Sequence, residues 1–408
     1  MKILLISDSY PPEVRSASRL MHEFATGMVQ YGHSVTVLTA FPRYNLAEGT
    51  SNDFNSVAHE DAVRVVRVNT LKVHLVNMAR RGIGVVSLPY CFIRAAKKHL
   101  SDHFDIIFVY SPPLTLSIVG KWLAKYYKSK CVLNVQDLFP QNAIDLGIIK
   151  DPITKIFFES IEKYAYRAAD FITVHSHGNF KILTEKKNVP DSKIAVCHNW
   201  VKINNSKSVN FRGLSFRQEF ALSDKFVILF AGVIGPAQGL EVIIPAAERL
   251  IHTKACFLVV GDGSEKQKLQ KEAIERKLGN IVFKPFVKLD QYDSLLEVAD
   301  AGLLTLSKDM KTPVVPGKLV SLMAKKIPVV ASLNPDSDAR QIIKESKCGY
   351  VSNAGDAEAL AKNISKIMEF PRLAKEMGDS GWRYVRDNFS EERILKKYND
   401  IFSSLLSL

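Results

Sequence analysis

The chain of 408 residues places its chemistry-bearing side chains in short turns that follow apolar runs. The most specific of these is Thr312-Pro313-Val314-Val315-Pro316-Gly317-Lys318-Leu319-Val320-Ser321, continuing to Ala324. A Pro-Gly pair opens a helix there, and Lys318 falls in its first turn. A cation at that end opposes the helix dipole, at a cost of about 0.3–1 kcal/mol. Opposite charges about 4 Å apart gain roughly 4 kcal/mol at an effective dielectric near 20. An arriving anion outweighs the dipole cost, so the position suits a phosphate. A solvated lysine at a fraying end is the alternative.

Two glycine turns accompany it. Gly232-Val233-Ile234-Gly235-Pro236-Ala237-Gln238-Gly239 follows one apolar run, and Gly261-Asp262-Gly263-Ser264 follows the next. Gly232, Gly235 and Gly239 permit tight turning and close approach of a phosphate. Neither turn has the spacing of the dinucleotide fingerprint or of the P-loop. Nearer the start, Asp8 to Arg19 joins an apolar run to a helix. Arg15 and Ser16 stand where free backbone N–H groups would meet an anion. A Pro-stiffened connection with a Ser cap fits the same residues. Asp137, in Asn134-Val135-Gln136-Asp137-Leu138-Phe139-Pro140, suits binding of acceptor hydroxyls or stabilisation of a developing positive charge. It suits an Asp turn or a cap equally.

The elements that must carry these turns are legible as alternation. Apolar, β-branched runs at 2–7, 35–39, 63–68, 106–110, 130–135, 171–174 and 194–197 read as strands buried on both faces. Amphipathic stretches at 17–31, 114–127, 153–169 and 176–187 read as helices. A polar stretch at 198–223, with Asn199, Asn204 and Asn205, reads as a linker. Strands resume at 226–231, 255–260, 281–283, 301–306 and 329–331. The expected fold class is α/β, with two Rossmann-like doubly wound domains, 1–200 and 201–390, facing across a cleft. The last segment, 391–408, reads as an amphipathic helix packed on its own domain or crossing back to the first. Ligands of such sheets bind outside the carboxyl ends of strands, where the turns above lie.

Composition narrows the partners. Hydrophobic residues make up 47% and charged residues 24%, which is globular, and the net charge is +13. A basic excess favours acidic partners: nucleic acid, anionic lipid or phosphorylated small molecules. Between positions 64 and 130 only Asp102 and Asp105 oppose a long run of Lys and Arg. Within it Arg80-Arg81-Gly82 and Arg94-Ala95-Ala96-Lys97-Lys98 enclose an apolar run, 83–93. That run is too short to span a bilayer and suits an interfacial anchor on anionic lipid, or a core helix with solvated flanks. Five scattered cysteines without a C-x-x-C, and no signal peptide, fit a reducing, cytoplasmic compartment. No cluster with metal-ligand spacing is visible.

The ordered set of patches resembles the family 4 glycosyltransferases, which have the GT-B fold and act with retention. The matching pieces are Tyr10-Pro11-Pro12-Glu13, Gly32-His33-Ser34-Val35-Thr36-Val37-Leu38-Thr39, Asp137-Leu138-Phe139-Pro140 and Phe230-Ala231-Gly232 to Gln238-Gly239-Leu240. Further on come Gly261-Asp262-Gly263, Ala299-Asp300, and Pro316-Gly317-Lys318 to Ala324 with Pro328-Val329. The Asp-Leu-Phe-Pro and Gln-Gly-Leu pieces look like the branch containing L-fucosamine transferases of surface-polysaccharide synthesis.

The resemblance implies transfer of a sugar from a UDP-linked, N-acetylated donor, with the acceptor on the first domain and the nucleotide on the second. No metal or other cofactor is expected, as no ligand cluster is evident, and no nucleic-acid partner, as the basic excess lacks an RRM, OB or helix-turn-helix signature. A lipid-linked saccharide acceptor and a peripheral place on the inner face of the cytoplasmic membrane follow from the resemblance. Lys318 matches the family's phosphate-contacting lysine, while the 232–239 turn and Asp262 match donor-side positions. Val287 and Leu289 lie where the backbone usually meets the base, with Leu319 and Ser321 beside Lys318. Three departures stand out. Pro313 and Ser321 occupy slots where the family often has two Glu. Val233, Ala237 and Gln238 replace an Arg/Lys pair. Gln136 stands where a His is often found. Diphosphate stabilisation then concentrates on Lys318, backbone N–H groups and Arg15. Two rivals remain: a GT-B-like nucleotide-sugar epimerase, for which His175 and His177 are the nearest proton-transfer candidates, and a basic module binding lipid or nucleic acid.

Overall fold

The computed structural model describes residues 1–43, 46, 53–72, 78–203, 216–288, 291–310, 313 and 315–407. Asn204 and Asn205, Leu289, Thr312, Val314 and the Arg81 side chain lie outside the described residues. The chain divides into two compact units, Met1–Asn199 with Glu392–Leu408, and Trp200–Glu391.

The first unit is built on an eight-stranded sheet in the order β3-β4-β2-β1-β5-β6-β7-β8. Its strands are β1 Lys2–Ser7, β2 Ser34–Ala40, β3 Val57–Glu60, β4 Val63–Val68, β5 Ile106–Ser111, β6 Lys130–Val135, β7 Phe171–Val174 and β8 Ile194–Val196. All neighbours pair in parallel except β3 with β4. Successive side chains of a strand point to opposite faces. Leu4, Ile6, Ile107 and Val109 therefore share one core cluster with Leu88, Phe92, Val119, Leu123, Ala165 and Leu183. These come from helices Met78–His99, Leu116–Tyr127, Pro152–Ala168 and His177–Glu185, which line one face. Phe108 points to the other face, where it stacks on Phe24 at 4.4 Å and meets Tyr398 and Phe402 edge-on. Those last two belong to helix Glu391–Ser407, which thus seals the second face of this sheet.

The second unit holds a six-stranded, all-parallel sheet ordered β11-β10-β9-β12-β13-β14. Its strands are β9 Phe226–Ala231, β10 Ala255–Val260, β11 Ile281–Lys284, β12 Ala301–Thr305, β13 Val329–Leu333 and β14 Gly349–Asn353. Separate apolar clusters cover its two faces, one around Leu229, Leu304 and Met323, the other around Phe230, Phe257 and Leu360.

Two features differ from expectation. Strands β3 and β14 escape the sequence pattern. Both are edge strands with one neighbour, and their polar, half-exposed residues break the apolar run that marks a central strand. The polar stretch 198–223 is not a linker throughout. Phe216, Phe220 and Leu222 are buried in the second unit's core, and Arg217 donates to Asp300 Oδ2 at 2.7 Å and to the Val298 carbonyl. Among the described residues no helix is long and apolar enough to cross a membrane.

Candidate active site

In the second unit the two glycine turns are stitched together by backbone. Gly232 N–H donates to the Val260 carbonyl at 2.9 Å, Ile234 N–H to Asp262 at 2.8 Å, and Glu265 N–H to Ile234 at 3.1 Å. Contact is so close that a Cβ on Gly261 would lie 1.9 Å from the Gly232 oxygen. Gly261 also has φ +153°, so no other residue fits there. The far end of the first turn is held as tightly. Gly239, at φ +57°, would place a Cβ 2.8 Å from the Ser307 backbone. Ser307 N–H donates to Ala237 at 3.0 Å, and Asn334 Nδ2 donates to the Ser307 and Met310 carbonyls. The turn after β9 is thus shaped from both sides before any ligand arrives.

Lys318 reaches into this shaped turn. It is the second residue of helix Gly317–Ala324. Its Nζ lies 3.6 Å from the ring centroid of Phe230 and donates to Gln238 Oε1 at 2.7 Å. It passes 3.4 Å from the point where a Gly232 Cβ would stand, so glycine there leaves the lysine room. Desolvation pulls its pKa down from 10.5 to about 7. The Phe230 ring and the Gln238 carbonyl both favour the ammonium form and oppose that pull. An anion beside Nζ would restore the full charge.

The remaining second-unit candidates separate into those that join Lys318 and those that do not. Gln238 and Gly232 join it. Ser321 Oγ donates back to the Gly317 carbonyl at 3.2 Å, on the same helix. Leu319 does not serve as expected: its side chain is fully buried and its N–H is given to the Pro316 carbonyl. Gly239 is likewise committed to packing on Ser307. Gly235 is half-buried at the start of the Pro236–Gln238 turn. Asp262 is exposed, with Oδ1 accepting from Gly263 N–H at 2.8 Å. Val287 is partly buried against the core. Ser307 and Asn334 carry no signal in the sequence, and Phe230 enters there only through the Phe230-Ala231-Gly232 piece of the resemblance. The aromatic just before Ala231-Gly232 is the one signal that marked Phe230.

In the first unit the carboxyl edge carries a charged network. Arg15 caps helix Ser16–Gln30 by position, without a side-chain hydrogen bond, and Ser16 is exposed inside the first turn rather than acting as the cap. Arg15 Nη1 lies 3.4 Å from Asp8 Oδ2 and 3.6 Å from Glu13 Oε2. Glu13 in turn accepts from Ser9 Oγ at 2.8 Å and from Arg43 N–H at 3.0 Å. The guanidinium is therefore matched by two carboxylates. Burial raises the Asp8 carboxyl, and Arg15 partly offsets it.

Asp137 stands two residues past β6 and is exposed, yet desolvation by the protein around it still raises its carboxyl. Burial, with the charges of Asp137 and Asp8, drives the Tyr110 hydroxyl far above its ordinary value, which gathers Asp8, Tyr110 and Asp137 at one edge. Gln136 turns inward. Its Nε2 donates to Asn134 Oδ1 and its Oε1 accepts from Asn199, both at 2.8 Å, while Asn134 Nδ2 donates to Tyr398 OH at 2.9 Å. His175 is buried, and His177 is exposed with its ring 5.5 Å from that of His198. Among the described residues no three His, Cys, Asp or Glu are grouped to hold a metal ion.

Comparison with known proteins adds a second line of argument. Residues 17–205 match the model for Glycosyltransferase Family 4, and residues 212–383 match that for Glycosyl transferases group 1. The chain belongs to the family 4 glycosyltransferases. It is 27% identical to "Probable glycosyltransferase WbjE" of Pseudomonas aeruginosa, over 74% of this chain and 75% of that one. It is 25% identical to "Putative colanic acid biosynthesis glycosyl transferase WcaI" of Escherichia coli, over 98% and 100%. Its fold is that of the GT-B glycosyltransferases. Sucrose-phosphate synthase from Thermosynechococcus elongatus superimposes with a TM-score of 0.77 at 16% identity, covering 100% of this chain and 99% of that one. Anabaena Alr3699/HepE, solved in complex with UDP, does so with a TM-score of 0.70 at 16% identity, covering 99% and 100%.

Proposed function

We propose that this glycosyltransferase moves an N-acetylated amino sugar from a UDP-linked donor to a lipid-linked saccharide acceptor during surface-polysaccharide synthesis, with retention of configuration. The observation that carries the reading is the Lys318 ammonium, drawn into a backbone-lined turn beside Gly232 and Gln238, with desolvation weakening its charge until an anion arrives. Relatives named for colanic acid and O-antigen chain synthesis support the pathway class. Solved neighbours that hold UDP and UDP-glucose support the donor class. The Asp-Leu-Phe-Pro and Gln-Gly-Leu sequences favour the fucosamine-transferase branch.

In this reading the second unit holds the donor and the first the acceptor. The anomeric carbon–oxygen bond to the diphosphate breaks as the bond to the acceptor oxygen forms. The acceptor's proton passes to an oxygen of the departing diphosphate on the same face, so configuration is kept. Lys318 and the turn's N–H groups stabilise the departing charge, usually the largest catalytic term. Asp137 binds the acceptor hydroxyl. The segment 80–98 rests on anionic lipid at the inner face of the cytoplasmic membrane, with Ile83, Val86 and Tyr90 exposed beside Arg94 and Lys97. Incubation with a panel of UDP- and GDP-sugars, with and without polyprenyl-linked saccharides, tests the reading. Transfer from a UDP-sugar only when acceptor is present supports it. Interconversion of a donor without acceptor would assign an epimerase instead.

A further inference from the structure

Helix Pro152–Ala168 of the first unit is apolar on two faces. Its inner face packs Ile161, Ala165 and Tyr166 into the core under the sheet. Its outer face exposes Ile153 at 78%, Ile156 at 62%, Phe157 at 44% and Tyr164 at 45%. These positions recur at intervals of three, one and seven on one helical face, which exposed Ser160 shares. Ile148, just before the helix, is exposed as well. A surface helix normally turns polar residues outward, and large apolar residues grouped on its outer face mark an interaction surface.

The surroundings identify what covers it. Helix Leu116–Tyr127 lies beside it on the same face of the sheet and helix Met78–His99 lies beyond that one, all three sharing one core. Helix Met78–His99 exposes its own apolar residues, Ile83, Val86 and Tyr90. In a parallel α/β sheet each helix runs back against the strand before it, so the first turns of all three lie at the sheet's carboxyl edge. That is the edge of Asp8 and Asp137. Charge across the layer is mostly basic. The first two helices contain no Asp or Glu, and the third holds Glu159 and Glu162, with Asp151 capping its first turn. Glu162 is buried on Lys187, and Glu159 lies 3.9 Å from Lys155. Arg94, Lys97, Lys98, Lys121, Lys125, Lys155, Lys163 and Arg167 supply the opposite sign. A second copy of this chain would bring like charges together. A single peptide would cover one helix and leave the other exposed.

We propose that the outer stripe Ile153, Ile156, Phe157 and Tyr164 is a membrane-contacting surface, which inserts into an anionic bilayer alongside the 83–90 face so that the first unit meets lipid through two apolar ridges. The proposal deepens the lipid-linked-acceptor reading and rests on it only for its purpose, since the contact needs neither donor nor acceptor. The full chain is mixed with vesicles of phosphatidylcholine alone, or with roughly a third phosphatidylglycerol, whose negative surface each Lys or Arg would meet. The chain is expected to sediment with the anionic vesicles and to be released by salt. The triple substitution Ile153→Ser, Ile156→Ser, Phe157→Ser should lower partitioning about tenfold or more, because binding scales with buried apolar area. Ile153→Trp should add an emission component, over the wild-type background, that shifts to the blue on anionic vesicles. This keeps the test independent of how the triple variant folds. Partitioning of the triple variant equal to wild type, or no such shift from the Ile153→Trp variant, overturns the proposal. So does sedimentation showing a wild-type dimer that the triple variant reduces to a monomer. The vesicles carry no sugar substrate, so a failed transfer assay and a failed lipid contact are read separately.

Discussion

Lys318 Nζ donates a 2.7 Å hydrogen bond to Gln238 Oε1, joining the first turn of a helix to a glycine turn 80 residues earlier. The pair closes the donor-side turn with a neutral acceptor where the family often carries a cation. In the proposed reading Lys318 is the ammonium that faces the departing diphosphate from this turn. Replacing Lys318 by Ala should slow turnover by about 10²–10³-fold, roughly 2.7–4 kcal/mol, as when one oxyanion donor is removed. Steady-state kinetics on the folded variant check this, and near-normal turnover would take the role away from Lys318.

The lowered pKa makes a second, signed prediction. Empty, Lys318 titrates at about 7, so it is largely neutral one unit higher. A bound diphosphate favours the ammonium and raises that value. Binding of UDP at about pH 8 should therefore take up close to one proton, falling toward none near pH 6. Calorimetry in buffers of different ionisation enthalpy measures the uptake, and Lys318→Met should abolish it. The same shift acts on stability. The unfolded chain binds the extra proton between about pH 7 and 10.5, so the folded state gains stability as pH rises through that window.

Asp137 carries the acceptor-side prediction. Its raised carboxyl should place an acid limb in the pH–rate profile above the usual carboxylate range, with activity falling as the group is protonated. Asp137→Asn should remove that limb and lower turnover while leaving the donor KM unchanged, because the residues proposed to hold the donor belong to the other unit. A variant whose only change is a raised donor KM would assign Asp137 to the wrong ligand.

Phe402 tests the returning helix. It is fully buried against Phe24 and Phe108, rings that belong to the first unit's helix Ser16–Gln30 and to β5. Phe402→Ala should cost the first unit about 3–5 kcal/mol, the usual loss for an aromatic cavity. Denaturant unfolding followed on first-unit probes reads the change, and an unaltered midpoint would deny the helix its sealing role.

Much of this was legible because the chemistry sits at the ends of strands that are buried on both faces. β1, β5, β9 and β10 are unbroken apolar runs, and the turns after them fall where a doubly wound sheet must bind ligand. Lys318 could be found because Pro-Gly and a lysine at a helix start are locally incongruous. What escaped is what distance in the sequence hides. The Asp8 and Glu13 partners of Arg15 depend on how a loop folds back. Glycine looks the same whether it faces a phosphate or, like Gly239, another backbone. Leu319 lies beside Lys318 in sequence, but a helix turns consecutive residues about 100° apart, so one meets the turn and the other the core. Phe216 and Phe220 were hidden among polar neighbours that made their segment resemble a linker.

The central claim is that the second unit seats a nucleoside diphosphate on Lys318. A crystal structure of the chain with UDP bound tests it most directly. The account predicts a phosphate oxygen about 2.7–3.1 Å from Lys318 Nζ, within charge-assisted hydrogen-bond range, in the turn between Gly232 and Gln238. A nucleotide seated on the first unit, with Lys318 still closed on Gln238 alone, would contradict it.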